Sequence, residues 1–379
     1  MKEAVAAFPV GYHDFHPDKT YNYQLNRWHS LGLMRFEDIN DVAKSIRSFS
    51  EWKRKMLGLA QKAESESRLL NAAFYYRAAE FYTMPGDQPG KEYFYDRFAD
   101  LFYRAIQDDE FERIAIPYET TSLKAIRINS RIEKAGTLLV HGGFDSFLEE
   151  WYYIMKYFAR GGFDVIGFEG PGQGSVLLKQ GVHLDYRWEK PVKSVLDHFQ
   201  LQEATLFGLS MGGWFCLRAA AFEPRIKNVI ASGHAVDYSR IPPAFARWLM
   251  LFFIKNFRSY TEKSFEKVAA KNNIQGWQTS NLAHITGLPP LEAFEYSLNL
   301  NANNLHCDKI RQNVLYLTGR NDHFIPYKMH DLQLKLLTNA ASVTDRVFTK
   351  KEHAQNHCQI GNIGLMLDEC IRWMKKHAG

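Results

Sequence analysis

One short run, ATLFGLSMGG over residues 204–213, constrains the fold of this chain more than any other feature. An apolar, strand-like segment leads into Gly208-x-Ser210-x-Gly212, and a helical segment, Trp214–Phe222, follows. This order is typical of a sharp strand-to-helix turn that exposes a serine hydroxyl. The two glycines are needed because side chains at their positions would clash where strand and helix approach each other. Ser210 is therefore the candidate nucleophile, and a plain structural turn is the alternative.

The segments around this turn predict a mostly parallel sheet. Two segments of alternating polarity, residues 111–117 and 123–128, predict a β-hairpin. Short apolar runs separated by helix-length segments then follow, at Thr137–Val140, Val165–Phe168, Thr205–Leu209, Val229–Ser232, Val314–Thr318 and Val343–Phe348. Strands that alternate with helices indicate βαβ units. With the Ser210 turn, this pattern predicts an α/β class chain with the α/β-hydrolase fold.

The same pattern divides the chain into regions. We expect a helical N-terminal region over residues 1–110 and a core over residues 111–235 and 309–379. The interval of about 80 residues between two core strands is too long for a structureless loop, so residues 236–308 are expected to form an inserted helical cap.

The cap holds an apolar segment, Phe245–Phe257, with large side chains on nearly every side. A helix of this kind is buried or meets something apolar. We expect Trp248 and Phe252 to contact the substrate. Packing inside the cap or a contact between two copies of the chain is the alternative.

Composition excludes several classes of function. The 379 residues carry a net charge of +5 without a run of like charges, which argues against a nucleic-acid-binding arm. The four cysteines lack zinc-site spacing and predict reduced thiols, and neither a metal nor an organic cofactor is implied. No signal-peptide pattern and no long apolar segment occur, so a cytoplasmic protein without a membrane span is expected. Aromatic residues make up 14% of the chain and hint at a cavity that accepts rings.

A second motif follows the first predicted core strand in LLVHGGFD, residues 138–145. A strand that ends in His-Gly-Gly is a typical site for an oxyanion loop. The expected donors are the backbone N–H groups of Met211 and of Phe144, with Gly143 as an alternative to Phe144; a plain glycine turn is the other interpretation. The glycine cluster EGPGQG, residues 169–174, lacks dinucleotide-binding spacing and is expected to border the active site.

The acid and the base are expected in the chain order serine, acid, histidine. Asp322 follows an apolar strand and a glycine turn, and it is favoured over Asp237, which follows the preceding strand. Four histidines lie downstream, of which His330 and His377 are expected at the surface. Position alone barely separates His353 from His357.

The run FTKKEHAQNHCQIGN, residues 348–362, resembles the histidine loop of one α/β-hydrolase group. This group contains the fungal pigment hydrolases that shorten polyketides, the bacterial anthraquinone chain-shortening hydrolase and dihydroxypseudooxynicotine hydrolase. Its catalytic histidine precedes Cys-Gln or a similar pair, which implies His357 here. The N-terminal helical region, the loop FEGPGQG at 168–174 and the Ser210 turn resemble the same group, whereas the cap carries little of the resemblance.

One departure limits what can be carried over. The nicotine-degrading members use an additional glutamate near the nucleophile, after the strand that here ends at Ser232. The segment 233–238 offers Asp237 and no glutamate, so their substrate is not expected for this chain.

The resemblance implies a Ser210–Asp322–His357 triad that hydrolyses a carbon–carbon bond next to a carbonyl in an aromatic, polyketide-like small molecule. The same machinery serves a carboxylesterase or a thioesterase, which is the alternative. A ligand-binding protein without catalysis is a more distant one. The composition and motifs leave a homodimer open.

Overall fold

The computed structural model describes residues 8–377, and its core is one eight-stranded sheet. The strands lie side by side in the order β1-β2-β4-β3-β5-β6-β7-β8. Their bounds are β1 Glu112–Tyr118, β2 Thr121–Ile128, β3 Gly136–His141, β4 Phe163–Phe168, β5 Ala204–Leu209, β6 Ile226–Ser232, β7 Asn313–Gly319 and β8 Ser342–Phe348. The expected hairpin is β1–β2, which together with the β2–β4 pair is antiparallel, and all other neighbouring strands are parallel.

Sixteen α-helices lie within residues 8–377. They are α1 Lys19–Ser30, α2 Phe36–Ala43, α3 Phe49–Ser65, α4 Leu69–Phe81, α5 Lys91–Ala105, α6 Tyr152–Arg160, α7 Gly174–Gln180, α8 Glu189–His198, α9 Met211–Ala220, α10 Ala244–Asn256, α11 Arg258–Ala269, α12 Ile274–Thr286, α13 Pro290–Ser297, α14 Ala302–Leu305, α15 Lys328–Leu336 and α16 Ile363–His377.

The sheet has an apolar layer on each face because successive side chains of a strand point to opposite sides. Phe207 and Leu209 of β5 join the core with α6 and α16, whereas Leu206 joins the core with α8 and α9. The N-terminal helices α1–α5 belong to the first of these layers. All residues of α4 from Ala72 to Phe81 are buried, which explains why this helix is apolar on nearly every side.

Helices α10–α14 lie between β6 and β7. The first of them, α10, is unusual because Ile254 is its only buried residue. No helix within residues 8–377 is both long and apolar enough to cross a bilayer.

The parallel strands bring their carboxyl ends to one edge of the sheet. There His141 pairs with Gly208, and Leu209 pairs with Ser232. The loops that follow β3, β5 and β7 therefore meet, which is the usual place for a site in such a sheet.

Candidate active site

Ser210 lies at the turn between β5 and α9 with backbone angles of φ 58° and ψ −131°. A non-glycine residue rarely adopts this conformation, and it persists where the surrounding structure holds it. A Cβ atom at Gly208 would lie 2.0 Å from the carbonyl oxygen of Gly212, and one at Gly212 would lie 2.5 Å from that of Gly142. The two glycines of the motif are therefore required sterically, as expected from the sequence.

The structure brings Ser210, His357 and Asp322 into one hydrogen-bonded chain. With the imidazole in the tautomer that carries its proton on Nδ1, this N–H donates to Asp322 Oδ2 at 2.6 Å. The Ser210 hydroxyl donates to Nε2 at 2.9 Å. Asp322 Oδ1 is held in turn by the N–H groups of Phe324 and Ile325 at 2.8 and 2.9 Å. Such an arrangement can remove the serine proton as the oxygen attacks a carbonyl.

The electrostatics of His357 fit the role of a base held by a carboxylate. Burial is the largest single influence on this imidazole and lowers its pKa, but the Asp322 carboxylate and the neighbouring Cys358 together raise the pKa well above its ordinary value. His323 lies beside Tyr23 and Phe324, and burial lowers its pKa to about 4. Because His323 is then neutral, it adds no positive charge beside His357.

The other candidate side chains lie elsewhere. Asp237 accepts the N–H and the hydroxyl of Ser239 and caps a short helical turn. His353 is exposed at the end of another short turn. His377 donates its Nδ1–H to the carbonyl oxygen of Trp373. The surface position expected for His330 is wrong, since this residue is buried between Tyr316 and Tyr327 and bonds Thr318.

The loop after β3 lies against the start of α9. A Cβ atom at Gly143 would come within 2.8 Å of the Met211 backbone nitrogen. The Gly143 N–H donates to Ser146 Oγ at 3.2 Å. Within residues 8–377, no hydrogen bond of this kind is seen for the N–H groups of Phe144 and Met211, and both stay candidate donors to a substrate oxygen.

Gln173, in the glycine cluster after β4, holds this loop. Its Nε2 donates to the carbonyl oxygens of Gly142 and Gly143 at 2.8 and 3.0 Å, and its Oε1 accepts the Gly170 N–H. Glu169 adds a second attachment, since it accepts the N–H groups of Leu148 and Ser175. The cluster thus supports the loop after β3, although none of residues 169–174 lines the cavity that contains Ser210.

Replacing Gln173 with alanine is expected to lower kcat about 10- to 100-fold with little change in KM, because a looser loop presents its donors less well to the transition state. Gln180→Ala is the matched control, since Gln180 is an exposed glutamine at the end of α7 that bonds Thr121 of β2. Steady-state kinetics, with thermal unfolding of each variant, would check this. Equal losses in both variants, or a change confined to KM, would rule out the positioning role.

The N-terminal helices contact the other side of the same loop. Arg27 of α1 donates to Asp145 at 2.8 Å and to Glu150 at 2.9 Å. Arg77 of α4 donates to Glu150 at 2.9 Å and to the carbonyl oxygen of Asp145. The two arginines and Glu150 are buried and their charges are paired, which is how buried charges are tolerated. Sequence reasoning missed these contacts, since nothing in either helix marks its arginine as a partner of a distant loop.

Ser210 and His357 open into a cavity of about 430 Å³. Among residues 8–377, seven Phe, Tyr and Trp side chains line it: Tyr23, Tyr82, Phe144, Trp151, Tyr238, Trp277 and Phe324. Polar groups come mainly from α1 and the loop after β3, with Gln24, Arg27, Asp145 and Ser146 among them. Within residues 8–377, no group of three or more His, Cys, Asp or Glu side chains is arranged to hold a metal ion.

The structure does not bring Trp248 and Phe252 into this cavity. Both lie on α10 with exposed side chains, at 58% and 40% of their full accessibility. The cap instead lines the cavity with Ile274, Trp277 and Leu282 of α12 and with residues that flank the helices. The sequence pattern of α10 identified an apolar helix without telling which surface it meets.

Comparisons with known proteins agree with this architecture. The family described as the alpha/beta hydrolase fold matches residues 138–288. A hydrolase of Fusarium sp, LUC6, is 28% identical over 381 residues, which cover 89% of this chain and 89% of LUC6.

Two solved structures are similar over nearly the whole chain. The 2,6-dihydroxy-pseudo-oxynicotine hydrolase has a TM-score of 0.66 at 17% identity and covers 93% of this chain and 95% of its own. AbyA5 has a TM-score of 0.65 at 21% identity, with 90% and 89% covered. At identities this low, the two structures show a shared fold and nothing about activity. The fold expected from the sequence is confirmed.

Proposed function

We propose that this chain, an α/β hydrolase by its fold and its relatives, is a serine hydrolase that cleaves a carbon–carbon bond next to a carbonyl in an aromatic, polyketide-like substrate. The observation that carries the proposal is the hydrogen-bonded chain from Ser210 through His357 to Asp322 at the floor of an aromatic-lined cavity.

The first step forms the tetrahedral intermediate that precedes the acyl-enzyme. Ser210 Oγ attacks the substrate carbonyl carbon while His357 Nε2 takes the hydroxyl proton. The carbonyl oxygen becomes an oxyanion, which the N–H groups of Phe144 and Met211 stabilise by hydrogen bonds. Asp322 stabilises the imidazolium that forms.

The second step breaks the carbon–carbon bond. The oxyanion reforms its carbonyl, and the bonding pair leaves with the departing carbon. That carbon must be a stabilised carbanion, such as the enolate of a β-diketone. The enolate takes its proton from the His357 imidazolium, which leaves a ketone and an acyl group on Ser210.

Water completes the cycle. His357 accepts a proton from one water molecule as its oxygen attacks the acyl carbon, and Ser210 regains a proton when the tetrahedral intermediate collapses. One water is consumed, and a carboxylic acid and a ketone are formed. No cofactor is needed in any step.

The cavity supports an aromatic substrate. Ring side chains such as Trp151, Trp277 and Phe324 can stack against a planar substrate, which is worth about 0.5–1.5 kcal/mol per pair beyond the apolar area that is buried. Its volume of about 430 Å³ is within the range of small-molecule sites. The polar wall beside Arg27 and Gln24 gives the oxygen atoms of a polyketide-like molecule hydrogen-bonding partners.

The second candidate is a carboxylesterase or thioesterase on an apolar acyl substrate. It uses the same steps, except that His357 protonates an alkoxide or a thiolate. The resemblance of the loop around His357 to hydrolases that shorten polyketides favours carbon–carbon cleavage.

The test compares three substrates of similar size: an aryl β-diketone such as 1-phenylbutane-1,3-dione, an aryl ester and an acyl thioester. The diketone should yield a carboxylic acid and a ketone, with oxygen-18 from labelled water in the carboxylate, and Ser210→Ala should abolish the reaction. The ratio of the kcat/KM values measures transition-state discrimination. Ester or thioester turnover that exceeds diketone turnover by orders of magnitude would replace carbon–carbon cleavage with the second candidate.

A further inference from the structure

Helix α10 and the start of α11 carry large apolar side chains that the rest of residues 8–377 leaves between 36% and 72% exposed. Six aromatic residues form an unbroken chain of ring contacts between 5.5 and 6.4 Å: Phe245, Trp248, Phe252, Phe253, Phe257 and Tyr260. Leu249 and Leu251 are exposed beside them. These eight residues are called the α10 patch below.

The α10 patch is large for a monomer. Phe245 and Tyr260 are about 70% exposed (72% and 68%), and the other members are between 36% and 58% exposed. With roughly 200 Å² for a large apolar side chain, about 800 Å² of apolar surface meets solvent. The largest apolar patch of a typical monomer is about 300–600 Å². A standard interface buries about 800 Å² on each partner, which matches the α10 patch.

Symmetry and charge fit a second copy of the same chain. In a contact about a two-fold axis, the same surface of each copy meets its equivalent. Side chains near the axis must therefore be able to pack against the same side chains of the other copy. Phe245, Trp248, Leu249 and Phe252 share one face of α10 at helical spacing, opposite the buried Ile254, and none of them carries a charge. Arg258, the first residue of α11, is already paired with Glu262 and Glu295.

A membrane surface with anionic lipids is the alternative partner for the α10 patch. Residues 238–261 contain four basic and no acidic side chains, which would suit such a surface. A helix that lies in a membrane interface, however, has one polar face. The only polar residues of α10 are Arg247, Lys255 and Asn256, and apolar side chains are exposed on several sides. Two helices from each copy can cover several sides of α10, whereas a flat surface covers one.

We infer that the α10 patch is the contact between two copies of this chain, packed through α10 and α11 about a two-fold axis. The contact between copies would also affect the cavity at Ser210. Tyr238 and Ile241 line the cavity directly before α10 begins, so packing of α10 fixes one part of the cavity wall.

Analytical ultracentrifugation from about 0.5 to 100 μM tests the inference. Wild-type protein should sediment as a dimer of the 43.9 kDa chain at high concentration. Trp248→Glu and Phe252→Glu should each raise the dissociation constant at least about 100-fold, since each buries a charge without a partner. Tyr93→Glu is the matched control, because Tyr93 is 50% exposed on α5, outside the α10 patch. It should leave the dimer intact.

Two further measurements test the dimer contact independently of the glutamate variants. Leu249→Cys should form a disulfide between copies under mild oxidation, whereas Tyr93→Cys should not. Flotation with vesicles of phosphatidylcholine and phosphatidylserine tests the alternative partner. A wild-type monomer at 100 μM, with or without binding to vesicles, would overturn the inference, as would a dimer that both glutamate variants leave unchanged. None of these readouts depends on the reaction, so their failure is distinct from failure of the proposed function.

Discussion

Ser210→Ala is expected to lower kcat by about 10⁴- to 10⁶-fold, the scale on which triad serines act in other hydrolases. The substitution removes the oxygen that attacks the carbonyl and leaves His357 without a proton to take. Because no acyl-enzyme can form, labelling of the protein by a fluorophosphonate probe should disappear as well. Turnover of the diketone and of the ester should fall together, since both reactions start from the same attack.

The fold of this variant should be preserved. Alanine keeps the Cβ atom, so the backbone at φ 58° is strained to the same degree as with serine. The variant loses one partly buried hydrogen bond, to His357, worth about 0.5–1.5 kcal/mol. Thermal unfolding and circular dichroism measure this. Activity or labelling retained in a well-folded variant would remove Ser210 from the mechanism.

The fold was predictable because its signals are local. Apolar runs of strand length alternate with helices from β3 to β8, and a steric rule ties Gly208 and Gly212 to the turn at Ser210. The observed boundaries of helices and strands differ from the expected ones by a few residues at most. For example, α10 was expected to begin at Phe245 and begins at Ala244. Ser210, Asp322 and His357 were assigned from chain order and from resemblance, and the structure places them within hydrogen-bonding distance.

The contacts that surround these three residues were not predictable, because they join segments far apart in the chain. Arg27 meets Asp145 across 118 positions, and Gln173 meets Gly142 across 31. Neither pair leaves a periodic or a spacing signal. Helix α10 is the opposite case, since its pattern was clear but a pattern reports apolar sides without reporting what covers them.

His357→Ala is expected to lower kcat by about 10⁴-fold or more, while His353→Ala should change it less than about threefold. His357 holds both neighbours at 2.6 and 2.9 Å, so its loss leaves Ser210 without a base and Asp322 without its imidazole. His353 is the matched control because it lies four residues away on the same loop, exposed to solvent. Reversed effects would move the base to His353.

The pH dependence supplies a readout that a structural role of His357 would not move. The base must be neutral to accept the serine proton, so kcat/KM should fall as the pH drops below the pKa of His357 in the free enzyme. Since Asp322 and Cys358 together hold this pKa well above its ordinary value, the wild-type midpoint should lie above the usual histidine value of about 6.5. Asp322→Asn removes the charge that raises the pKa most, while burial, the largest influence and one that lowers the pKa, remains. The residual activity of this variant should therefore titrate at lower pH than that of the wild type. An unchanged midpoint would mean that the fall of kcat/KM at low pH reports the titration of another group.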